Sequence, residues 1–176
     1  RDEIRSRGLG YVYKRQGGPF LADEEDAHVD LLWLKSIMKY ELDLRPPFLA
    51  RVGKNCIFIR NEKGKPIGHL LLSNRWAGYE INSFVIDEEH RGKGLSHELL
   101  KRIEHYPVFC YTRDLRLQSA LKKAGYIEAK FPGLIATLNL ILTRLGITLW
   151  MILSLDFKRL FHQIKNVTNY KLYKRS

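Results

Sequence analysis

Between Tyr79 and Ile103 the residue pattern changes period across the short segment Arg91-Gly92-Lys93-Gly94-Leu95, and that switch constrains the fold more than anything else in the chain. Tyr79 to Ile86 is rich in β-branched and aromatic residues and ends at the charged run Asp87 to His90. Beyond the glycines, Ser96 to His105 carries Leu99, Leu100 and Ile103 at helical spacing behind Leu95. A strand, a glycine turn and a helix in that order require an α/β architecture in which the helix packs back on a sheet. The turn also gathers free main-chain N–H groups and the positive end of the helix dipole at one point. Glycine permits close backbone approach, and Arg91 and Lys93 add charge for phosphate oxygens, so a pyrophosphate is the expected ligand. It is not a Walker loop, which ends in Gly-Lys-Ser/Thr, nor the dinucleotide fingerprint, which needs a third glycine.

The flanking sequence extends the same class. Asp23 to Tyr40 reads as an amphipathic helix with Ala27, Leu31, Leu34 and Met38 on one face, stopped by Pro46 and Pro47. Asn55 to Arg60 and Pro66 to Ser73 read as strands of a hairpin joined by a polar connection containing Gly64. After the glycine turn and its helix, Pro107 to Thr112 is a further strand. Asp114 to Ala124 is a helix with Asp114 as N-cap and Gly125 as its stop, and Tyr126 to Phe131 resumes β character. The expected fold is α/β with a mixed central sheet flanked by helices.

Charge narrows the partners. The chain carries thirty Lys and Arg against nineteen Asp and Glu, a net +11. Residues 1–17 hold five basic and two acidic side chains and residues 156–176 six and one, which leaves the centre nearly balanced. A nucleic-acid module would carry its basic stripe on the folded domain, so no nucleic acid is expected as partner. The two cysteines, Cys56 and Cys110, make neither a disulfide framework nor a zinc site and are expected reduced and buried; no metal is expected. Residues 1–17 read as a disordered or partly non-native leader, 18–131 as the domain, and 132–176 as an extension, apolar and helical at first and then basic.

Taken in order, Glu80-Ile81-Asn82-Ser83-Phe84-Val85-Ile86-Asp87, then His90-Arg91-Gly92-Lys93-Gly94-Leu95, then a Leu-Leu helix, resemble motif A of the GNAT N-acetyltransferases, with Arg91, Gly94 and Ser96 at the signature positions. Asp114 to Gly125-Tyr126 resembles the family's motif B. The resemblance implies a GNAT fold and acetyl transfer from acetyl-CoA, as co-substrate, to a primary amine of a small molecule or protein. It places the pantetheine against the backbone of Phe84, Val85 and Ile86, and the pyrophosphate on Arg91, Gly92, Lys93, Gly94, Leu95 and Ser96, and counts Asp114, in place of the usual motif B Asn, among the cofactor-binding residues. It offers Glu80 as the base and His69, whose ordinary pKa suits the task, as its rival. Where relatives carry an acid tyrosine this chain has Leu121, so Tyr111 and Tyr126 are the candidate substitutes. That departure keeps a second reading open, a non-catalytic acyl-CoA-binding module. Asp23, Glu24, Glu25, Asp26 and Asp30 offer an acidic face for a cationic acceptor.

The segment Leu134 to Leu155 holds twelve Leu or Ile and is long enough to span a bilayer. A cytosolic acetyl-CoA site would then place the basic tail on the far side, against the positive-inside tendency. Three arrangements remain open: a helix covering the domain or a second copy in a homodimer, a helix lying peripherally in the membrane interface, or, from the alternation Leu138-x-Leu140-x-Leu142, a last strand. The expected location is cytoplasmic, in solution or peripheral to the membrane.

Overall fold

The fold, described for residues 24–176 by a computed structural model, is a six-stranded mixed sheet with helices on both faces. The expected leader and Asp23 lie outside the described residues. Helix α1 (Glu24–Met38) leads through a 3₁₀ turn at Pro47–Leu49 to the meander β1 (Cys56–Arg60), β2 (Pro66–Asn74) and β3 (Tyr79–Ile86). Then follow α2 (Leu95–Lys101), β4 (Val108–Thr112), α3 (Leu115–Lys123) and β5 (Ile127–Ala129). The last elements are α4 (Leu134–Leu153), α5 (Phe157–Asn166) and β6 (Lys171–Arg175).

The strand order is β1-β2-β3-β4-β6-β5, antiparallel except for the parallel pair β3 and β4. The main core lies between the sheet and α2 and α3, where Leu70, Leu99, Leu100, Val108, Leu121 and Tyr173 are wholly buried. On the opposite face α1 covers Val85 with Leu34 and Met38, while α4 covers Phe109 and Leu172 with Ala136 and Leu140. Asp114 caps α3 as expected, accepting from the N–H groups of Arg116 and Leu117.

The sheet does not close at residue 131. The segment set apart by composition as an extension returns, and β6 enters between β4 and β5, antiparallel to both. Leu172 and Tyr173 are buried there, and only the lysines and arginine around them kept this strand from reading as one. Residues 138–142 are helical, not a strand: the turn Pro132-Gly133 ends the preceding strand, and α4 then buries one helical stripe, Ala136, Leu140 and Met151. Cys110 is buried, whereas Cys56 is only half-buried, with its thiol donating to the Arg51 carbonyl at 3.4 Å.

Helix α5 holds the loop that follows α1. Arg159, 2% exposed, donates to the carbonyls of Met38 (2.9 Å), Glu41 (2.7 Å) and Leu44 (2.8 Å), and its Nε pairs with Asp156. The carbonyls at the end of a helix have no intrahelical donor, and here a buried guanidinium supplies one. Gln163 adds bonds to the carbonyls of Leu42 and Leu44. Arg159→Met keeps the packing volume but leaves the Met38 carbonyl without a donor and takes one of two donors from those of Glu41 and Leu44, so the variant should lose about 2 kcal/mol of stability in urea unfolding, more than a single exposed ion pair could account for.

Candidate active site

Strands β3 and β4 run together for only three residue pairs, Tyr79 with Val108, Glu80 with Phe109 and Ile81 with Cys110, and then part. The parting coincides with a bulge. Opposite β2, Leu71 pairs with Ser83 and Leu72 with Ile81, so Asn82 is an extra residue in β3. Ile81 before the bulge and Phe84 and Ile86 after it all face the main core, while Glu80 and Val85 face the other side. Beyond Ile81 one edge of β3 is left without a strand partner, with main-chain groups turned toward the gap.

The gap is a cleft of about 390 Å³ whose floor is β3 and β4 and whose end is the glycine turn. Gly92 and Gly94 stand at φ +80° and +79°, left-handed values that a residue with a Cβ rarely adopts, and space lies open where a Cβ would project. Gly94, Leu95 and Ser96, at the start of α2, line the cleft, and the first N–H groups of a helix have no intrahelical acceptor. Arg91 closes its edge: Nε donates to the Ile86 carbonyl and Nη2 to Glu41, each at 3.2 Å.

Of the ten positions expected to hold a pyrophosphate-bearing thioester, Phe84, Val85, Ile86, Arg91, Gly92, Gly94, Leu95, Ser96 and Asp114 line this cleft. Lys93 is exposed on the turn and is not among the lining residues.

The candidate acid and base residues are not brought together. Glu80 is 1% exposed and lies outside the cleft lining. One carboxylate oxygen accepts from Nε and Nη2 of Arg75 and from Asn82, and the other accepts from Arg144 at 3.0 Å. A base needs a free lone pair aimed at the acceptor, so the expectation that Glu80 performs that task is corrected: it is a buried anchor.

His69 is wholly buried under α1, its Nε2 3.2 Å from the Ser83 hydroxyl and its ring 4.6 Å from that of Phe58. Burial drives its pKa down to about 3, which leaves it neutral and a poor proton acceptor. Tyr126 is buried away from the cleft, its ring 4.9 Å from the Arg175 guanidinium, and burial pushes its pKa up. Leu121 sits in the main core. Tyr111 alone of the four candidates lines the cleft, with its pKa raised by burial and by the Glu80 charge, against a smaller opposing effect of Arg144.

Asp30 is buried and pairs with Arg60 at 2.7 Å, so it does not form an acidic face; the side chains at 24–26 lie outside the described residues. Among the described residues no group of His, Cys, Asp and Glu is placed to hold a metal ion.

A cluster that no local pattern announced forms the far wall. Asp43 accepts from Arg113 Nε (2.9 Å) and the Tyr170 hydroxyl (2.9 Å), and His162 Nε2 lies 2.8 Å from it. Burial pushes the Asp43 carboxyl up, but these hydrogen bonds and the Arg113 charge more than offset that and hold it below the ordinary aspartate value. Tyr170 is pushed up to about 12 by burial and by its bond to Asp43. Asp43, Arg113 and Tyr170 all line the cleft.

Fold and cleft define the class, an α/β protein whose mixed sheet parts at its centre beside a glycine turn. The chain matches the profile of the acetyltransferase (GNAT) family over residues 18–108, just over half its length, and it belongs to that family. It is also similar to an uncharacterized N-acetyltransferase of Methanocaldococcus jannaschii, 35% identical over 52 residues, which cover 30% of this chain and 33% of that protein. The match thus spans about one third of that relative's length. No solved structure matches the chain.

His69 carries a pH signature. Its native pKa, about 3, lies below the ordinary 6.5, so the unfolded chain binds the proton first. Its contribution to stability is fully present above pH 6.5 and is lost as pH falls toward 3. Chemical denaturation of His69→Gln beside the parent should give a flatter fall in stability across that window; parallel curves would contradict the assignment.

Proposed function

We propose that the protein transfers an acetyl group from acetyl-CoA to a primary amine. The single observation that carries this is the joining of three features in one cleft: an unpaired β3 edge, a left-handed glycine turn and a helix start. When bound, acetyl-CoA supplies an activated acyl carbonyl on a thiolate leaving group. The residues present fit it. The parted edge of β3 at Phe84 to Ile86 offers main-chain donors and acceptors to the pantetheine amides, and the N–H groups of the turn, with Arg91, offer donors to the pyrophosphate. We place the protein in the cytoplasm, where acetyl-CoA is made and where two unpaired cysteines persist.

The acceptor must arrive as, or become, a neutral amine, and with both Glu80 oxygens held by guanidinium groups its proton leaves to water in the open cleft. Tyr111 reaches the cleft from the α4 side of β4. A hydroxyl that keeps its proton above the ordinary value of 10 suits hydrogen-bond donation better than proton release. Its task is to donate from Oη to the charge that develops at the reacting carbonyl or sulfur.

The withdrawal of Glu80 and His69 from the cleft favours one other reading, an acyl-CoA-binding module without turnover. Titration calorimetry of acetyl-CoA should show binding by the parent and loss of it in Gly94→Glu, which sets a carboxylate and a strained φ at the turn. Lack of binding by the folded parent would sink both readings. Across a panel of amines, Tyr111→Phe should lower kcat roughly a hundredfold with acetyl-CoA affinity unchanged. Tight binding with no turnover by the parent on any amine would leave the module.

A further inference from the structure

We propose that the outer faces of α4 and α5 form a docking surface for an anionic lipid bilayer, on which the protein lies with α4 along the membrane plane. Helix α4 is held to the domain partly by polar side chains: Asn139 and Thr143 each accept from Arg75 Nη1 at 3.2 Å, and Arg144, half-exposed, reaches back to donate to buried Glu80. Beyond the buried stripe Ala136, Leu140 and Met151, ten of its large apolar side chains stand 44–79% exposed, Leu134, Leu138, Leu145 and Leu149 among them. A monomeric protein in water does not ordinarily leave so continuous an apolar patch uncovered.

Helix α5, in contact with α4, carries exposed apolar side chains of its own. Phe157, Phe161 and Ile164, at helical spacing, are 43%, 67% and 58% exposed, and Lys158 and Lys165, each one residue further on, are exposed beside them. Lys130, just before α4, adds charge at the other end. Aromatic and aliphatic side chains bordered by lysines are the composition of a helix seated at the boundary between acyl chains and anionic headgroups.

Among the described residues α4 is the one helix long and apolar enough to cross a membrane. Its bonds to Arg75 and Glu80, however, tie it flat against the sheet domain, so it lies on the bilayer and does not span it.

Flotation of the full chain tests the assignment with vesicles of phosphatidylcholine alone and of phosphatidylcholine mixed with phosphatidylglycerol. The parent should float with the mixed vesicles, much less with neutral ones, and less as salt is added. Leu138→Glu with Leu145→Glu, two exposed positions outside the cleft, should cut vesicle binding about tenfold or more. Unchanged acetyl-CoA affinity and thermal midpoint would show that the variant is folded. Failure of the parent to float with anionic vesicles would overturn the proposal, as would a dimeric mass by light scattering that the double variant reduces to a monomer. Neither result would bear on the cleft, whose cofactor binding is measured separately.

Discussion

A carboxylate that is 1% exposed must be matched by charge and hydrogen bonds, and the answer to that requirement at Glu80 organises the centre of the molecule. Arg75, from the end of the β2–β3 hairpin, turns back onto it, Asn82 reaches it from the bulge, and Arg144 comes from α4. Glu80 sits in the middle of the three pairs that join β3 to β4, so the network clamps the strands just before they part. Arg75 then spends its remaining nitrogen on Asn139 and Thr143, which extends the clamp along α4. The start of the cleft and the seat of the last long helix therefore follow from one buried charge, and the same satisfaction of its lone pairs withdraws it from proton transfer.

The far wall of the cleft depends on the other end of the chain. The loop after α1 has little regular structure beyond its turns, yet Glu41, Asp43 and Leu44 line the cleft and are fixed in place. Arg159 and Gln163 supply donors to its carbonyls, while Arg113, His162 and Tyr170 converge on Asp43. Helix α5 and the start of β6 thus do for the loop what a longer helix or a disulfide does elsewhere. The family profile stops at residue 108, so these supports belong to the part of the chain that the profile does not describe.

How far the sequence carried can be told from particular residues. The glycine turn was legible because φ near +80° and a helix start both leave local marks, and nine of the ten residues expected around it line one cleft. Glu80 was misread because strand alternation gives a face but not an occupant of that face: Arg144 lies sixty-four positions away and Asn82 breaks the alternation by bulging. His69 offered a favourable ordinary pKa, and only the packing of α1 over β2 removes it from use. The contacts of Arg159 span more than a hundred residues, a separation at which no periodicity speaks. Strand β6 was hidden by composition, since two buried residues among three basic ones look like a solvated tail.

Helix α4 shows why composition alone could not decide its role. On insertion arithmetic a central arginine costs roughly 2.5–3.5 kcal/mol, a sum that the leucines and isoleucines of a twenty-residue helix can offset, so a span is open to it. That arithmetic treats Arg144 as an isolated cation. In the fold it is half of a pair, and drawing α4 into a bilayer would also strip Glu80 of one counterion and Arg75 of two acceptors. Glu80 would keep Arg75 but lose the donor on its other oxygen, a cost that is added to the insertion term and not included in it. The polar stripe that makes the helix look like a poor span from outside is what holds it to the sheet from inside. Its outward leucines are consequently kept at the surface, where only a second apolar phase can cover them.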